Sequence, residues 1–144
     1  MRAHSSSLID AATVLAYRQT DYWVHTVPPF VLHVDQYSAA LAALYQHYQL
    51  RSAAFLSVCN PYSQLLPAEE NRCRHAQWRA WVKEQGWCHL PASGVDPQGV
   101  WPAEESLLLL GISQSTAESV ARHWQQNAFL WCAAEAIAEL ILLR

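Results

Sequence analysis

Apolar and polar positions along the chain follow two rhythms. Leu41, Leu44, Tyr45 and Tyr48 recur at three- and four-residue steps, the spacing of one helix face. Ser38 stands just before them as an N-cap, so the pattern predicts a helix over 39–48. Behind Ser113, the residues Ala117, Val120, Ala121 and Trp124 repeat that spacing and predict another helix. A third is predicted over 67–85. There Pro67 suits the first helical position, Glu69 and Glu70 suit the positive N-terminal end, and Gly86 stops the helix. A short helix is expected over 10–18, with Ala11 and Leu15 on one side.

The other rhythm is that of strands. Aromatic and β-branched runs at 21–26 and 30–34 flank Val27-Pro28-Pro29 and read as a hairpin, since proline cannot donate to a ladder. Continuous apolar runs at 53–59, 105–111 and 127–132 read as buried strands. Residues 87–90 read as a short strand. Residues 137–143 fit strand or helix, with a terminal strand over 139–143 preferred. Residues 91–104 carry the proline and glycine of the one long loop, and long loops are often functional. The sum is one α+β domain over 1–144, with 1–9 ragged. A mixed sheet of six or seven strands is expected, covered by two or three helices.

Composition narrows the function classes. Hydrophobic residues make up 52% and charged residues 15%, with a net charge of −3. That excludes a disordered chain and argues against a nucleic-acid or membrane-surface partner, which would need a basic face. No apolar run is long enough to span a membrane. No signal-peptide pattern opens the chain, so the expected location is the cytoplasm. The four cysteines, Cys59, Cys73, Cys88 and Cys132, lack CxxC spacing and read as free thiols. Cys73 and His75 diverge around a helix, and Cys88 and His89 alternate across a strand. Neither pair chelates, so no metal site is expected. No motif implies a cofactor.

The candidate chemistry gathers around Cys59-Asn60-Pro61-Tyr62-Ser63 and the helix after it. Asn60 ends an apolar strand, where ligands bind in open α/β sheets. Asn71, Arg74, Trp78 and Val82 share one helix face. The lower part of that face is apolar and should meet the sheet, which places Asn71 and Arg74 inward near Asn60. An arginine there wants an anionic partner. The partner is a ligand, Glu105, or both. Glu104 and Glu105 open the central strand and should face opposite sides. Trp101 is a lid or a core plug, and Gln126 with Asn127 sits at a helix-to-strand junction.

The order NPxS (Asn60, Pro61, Ser63), then Glu69, Asn71 and Arg74, then Gly94, Asp96, Pro97, Gly99, Trp101, Glu104, Glu105 and Ser106, then Gly111, then Gln126-Asn127 resembles a small bacterial family of unknown function, the DUF numbered 3293. The resemblance runs over about 53–131. It implies no activity. Two positions depart from it: Cys59, where an aromatic is frequent, and Gln125, where glycine is frequent.

Two functional readings follow. In one, Asn60, Ser63, Asn71, Arg74, Gln126 and Asn127 line a pocket for a polar or anionic small molecule, with Trp101 as cover and Glu105 as candidate catalytic acid or base. In the other, the same residues form a buried network in an interaction module or homodimer. Tyr17, Tyr22, Trp23, Tyr37 and Tyr48 would then supply apolar surface.

Overall fold

A computed structural model describes residues 7–144. Asp10 caps α1 (Ala11–Gln19) by accepting from Thr13 N. The hairpin β1 (Asp21–Val24) and β2 (Phe30–Leu32) follows, and then α2 (Ala39–Tyr48), capped by Ser38. The order continues with β3 (Ala53–Leu56), a 3-10 turn at Pro61–Ser63, α3 (Ala68–Glu84), β4 (Cys88–Val95) and β5 (Glu104–Leu110). Next come α4 (Gln114–His123), capped by Ser113, then β6 (Ala128–Cys132) and β7 (Ala138–Leu142). Of the segment expected to be ragged, 1–6 lies outside the described residues, and Ser7 Oγ donates to the Arg144 carbonyl.

The strands form one sheet in the order β2-β1-β4-β5-β3-β6-β7. Seven strands were expected at most, in a mixed sheet. Every strand pair is instead antiparallel, because hairpins and helical returns bring each neighbour back in the opposite sense. The sheet curls into a half-barrel. Residues after β2 reach across to the far edge, where Val34 bridges Ala138 and Tyr37 bridges Ile137. Asp35 N and Ser38 N donate to the Ala138 and Ala136 carbonyls.

Alternation sorts the core onto the two faces of the curl. Ala53, Phe55, Leu108, Leu110, Leu130 and Cys132 face its inside, together with Leu41 and Tyr45 of α2. Ala54, Leu56, Leu107, Leu109 and Phe129 face its outside, under Trp78 and Val82 of α3 and Ala117, Val120 and Ala121 of α4. Helix α2 closes one end of the curl, where the Tyr45 hydroxyl donates to the Cys132 carbonyl. No residue of α1 is buried.

The expected loop 91–104 is shorter than the sequence implied, because β4 continues to Val95. Pro91 is tolerated because its carbonyl accepts from His25 N on the β1 side. Its missing N–H would face that same side, where β1 has already ended, so the ladder to β5 loses nothing.

Trp78 is fully buried, and its indole N–H has no partner among the described residues. Trp78→Ala is expected to cost about 3–5 kcal/mol. Trp78→Phe should cost under about 1.5 kcal/mol, since it also removes an unpaired donor. Urea denaturation midpoints check both values.

Candidate functional site

The end of the curl opposite α2 is open and holds a cavity of about 170 Å³. That is close to the ~150 Å³ that accommodates benzene in an apolar protein cavity. Its floor is the inner face of the sheet: Tyr22, Phe55, Ser57, Ser106, Ala128, Leu130 and Leu140. Thr13, Ala16 and Tyr17 of α1 roof it, and Trp101 stands half-exposed at the rim.

One carboxyl side chain reaches this cavity from the sheet. Glu104 begins β5 in phase with Ser106 and Leu108, so it points inside the curl. Directly opposite in the ladder is Gly94, which projects no side chain and leaves the space open. Asn60 Nδ2 donates to Glu104 Oε2 at 2.7 Å. Burial pushes the Glu104 carboxyl above its ordinary range, against the hydrogen bonds from Asn60 and Ser57 that pull it down.

Asn60 is itself held from three sides. Its Oδ1 accepts from Leu66 N at 2.9 Å and from Asn71 Nδ2 at 2.8 Å. Its own N–H donates to Asn71 Oδ1 at 2.9 Å. Asn71 thus acts on the cavity through Asn60, from the upper end of the inward face of α3, as the helical spacing required.

Of the eight candidates, Asn60, Ser63, Trp101, Gln126 and Asn127 line the cavity. Asn127 Nδ2 donates to Tyr17 OH and Ser63 Oγ at 3.1 Å each, and those two hydroxyls also meet each other. This ties α1 to the rim. Gln126 spends its amide hydrogens on the Cys59 and Trp124 carbonyls.

Arg74 and Glu105 need correction. Arg74 donates from Nε to the Val58 carbonyl at 2.7 Å and from a terminal nitrogen to the Trp124 carbonyl at 2.8 Å. It also stacks over the Trp124 ring. Its five donors suit backbone carbonyls as well as anions, and here they staple the end of β3 to the end of α4. Glu105 points to the outer face, exposed beside His75 at 3.9 Å. Burial pushes the His75 imidazole down, so the two form no ion pair near neutral pH. Neither Arg74 nor Glu105 lines the cavity. The alternation of Glu104 and Glu105 was read correctly, but it is Glu104 that faces the cavity. Glu104 lay in plain view, but no sequence signal set the phase.

Burial pushes the Cys59 thiol up to about 11, so little thiolate exists at neutral pH. Among the described residues no three His, Cys, Asp or Glu side chains gather as metal ligands, and no helix is long and apolar enough to cross a membrane.

Loop geometry frames the rim. Asp96 accepts from Gln98 N, Val100 N and Trp101 N, so Asp96-Pro97-Gln98-Gly99 is the turn its sequence implied. Those donors hold its carboxyl below the ordinary range. Asn60, Tyr62, Ser63 and Gln125 all take positive φ, from 48 to 61°, a conformation rare outside glycine. Gln125 has a local reason. Gln125 N donates to the Arg122 carbonyl and Gln126 N to the Ala121 carbonyl, the Schellman pattern whose left-handed position favours glycine.

Fold and site together define an antiparallel curled-sheet α+β protein with a carboxyl-bearing cavity at its open end. The chain belongs to the family described as Protein of unknown function (DUF3293), whose family model matches residues 56–129. The matched segment contains Asn60, Asn71, Arg74, Gly94 and Glu104, whereas α1, Tyr22 and Leu140 lie outside it. No curated protein and no solved structure matches the chain.

Two predictions follow from this geometry. Gln125→Gly relieves a left-handed strain of about 1–2 kcal/mol against an entropy loss of about 0.5–1 kcal/mol. It should therefore leave stability unchanged or raise it, as read by Tm. Folding raises the Glu104 carboxyl above its ordinary 4.5, so the folded state favours the protonated form. That contribution is fully present below pH 4.5 and is lost as pH rises through the folded value. Glu104→Gln keeps an acceptor for Asn60 and cannot ionise. It should be more stable than the wild type at neutral pH, with the gain vanishing in acid, as denaturation measured across pH will show.

Proposed function

We propose that the protein binds a small, largely apolar molecule at the open end of its curled sheet, with Glu104 as the group that meets the ligand's polar end. One observation carries the reading: a carboxyl oriented by Asn60 at 2.7 Å enters a 170 Å³ cavity walled by Tyr22, Phe55 and Leu130. Ligand sites combine an apolar wall with a few oriented polar groups in this way. Glu104, in place of Glu105, is also the group able to exchange a proton with an occupant.

The geometry lends no support to the anionic ligand that was also expected. That expectation rested on Arg74, whose guanidinium is spent on backbone carbonyls. Among the described residues, the cavity lining contains no Lys, Arg or His. The interaction-module reading is weakened too, because Tyr17 and Tyr22 are used by the cavity. Tyr37 and Tyr48 remain exposed.

Gly94 offers the test. Its φ is unexceptional, and an added Cβ would meet only Thr20 Cγ2 at 3.7 Å, so Gly94→Leu should fold and fill the cavity. Indole is expected to raise the Tm of the wild type and not that of Gly94→Leu, whereas phenylacetate should raise neither. An indole shift that survives Gly94→Leu would sink the reading.

A further inference from the structure

The balance of donors and acceptors around the cavity identifies a ligand chemistry. Most donors on the floor of the cavity are already committed. Ser106 Oγ donates to the Glu104 carbonyl, Tyr22 OH to the Tyr17 carbonyl, and Thr20 Oγ1 to the Ala16 carbonyl. Asn127 spends its amide hydrogens on Tyr17 and Ser63, and Gln126 spends its own on Cys59 and Trp124. With those hydrogens used, Gln126 has only acceptor capacity left for an occupant. Glu104 retains lone pairs beyond those Asn60 and Ser57 take, since a carboxylate offers about four.

Charge points the same way. The carboxylic acids of the lining are Glu104 and Asp96, and among the described residues no cationic side chain lines it to oppose them. Asp96 is occupied by three backbone N–H groups, which leaves Glu104. Arg144 lies over the Tyr62 ring at 4.0 Å and is not part of the lining. Tyr22 and Phe55 meet edge to face at 5.1 Å and offer an aromatic wall to an apolar body. The volume limits the occupant to about one ring.

Resting on the pocket reading above, we propose that the cavity takes a small primary amine, its ammonium on Glu104 and its apolar body against Tyr22 and Phe55. The ammonium supplies hydrogen-bond donors to the open lone pairs of Glu104. It also offsets the cost of holding a carboxylate away from water. Neutral donors such as alcohols satisfy the first need and not the second.

The test titrates the full chain with three probes of one shape, 2-phenylethylamine, 2-phenylethanol and phenylacetate, by calorimetry. The amine should bind at least tenfold more tightly than the alcohol, and phenylacetate should not bind. Glu104→Gln should abolish the amine's advantage over the alcohol. Gly94→Leu should abolish both. If the alcohol binds as tightly as the amine, and Gly94→Leu blocks it, the amine proposal falls and the pocket reading stands; if phenylacetate binds as tightly, both fall. If no probe binds, or Gly94→Leu changes nothing, both fall. The ranking on the wild type decides the matter even if a variant misfolds.

Discussion

The Asn60 side chain accepts from Leu66 N and Asn71 through one atom and donates to Glu104 through the other. Three separate stretches of chain meet there: the exit of β3, the first turns of α3 and the start of β5. Asn60 is 5% exposed, so each group it satisfies would otherwise carry an unpaired-burial penalty of about 1–3 kcal/mol. Its left-handed backbone, φ 48°, is tolerated because asparagine enters that region more readily than most residues. The open end of the sheet keeps its shape because this joint holds, and Glu104 is aimed by the same atoms that hold it.

The curl explains why a pocket exists. Residues 34–38 reach from one edge of the sheet to β7 at the other, so the inner face becomes a trough. Helix α2 fills one end with Leu41 and Tyr45. At the other end Gly94 and Ser106 face inward, and α1 covers the opening without burying any residue of its own. A small side chain and a weakly seated helix leave space where larger residues would have completed the core.

Arg74 shows how a structural network and a site can share a neighbourhood. The guanidinium, Gln126 and Asn71 all bind backbone or another amide, and together they lock the strand-end loops. Asn60 belongs to that network and to the cavity at once. The two readings of the sequence are therefore layered: outer residues position, and inner residues face the space.

Much of this was legible in the sequence. The helices, their caps at Ser38 and Ser113, the stop at Gly86 and the placing of Asn71 beside Asn60 follow from spacing and side-chain chemistry between near neighbours. Residues 137–143, read as strand over helix, pair with β6 as an antiparallel edge. The reach of β4 was hidden, because Pro91 and Gly94 break strands unless a neighbour's ladder has ended or an open space needs no side chain.

By itself, then, the sequence determined the elements, the fold class and the strand end where polar residues gather, because periodicity and capping depend on residues a few positions apart. Only the tertiary structure decided that Glu104 and not Glu105 enters the cavity, and that Arg74 is spent on carbonyls. Strand phase comes from the pairing of Glu104 with Gly94, ten positions earlier in the chain. The partners of Arg74 lie 16 and 50 residues away, beyond the reach of any local pattern.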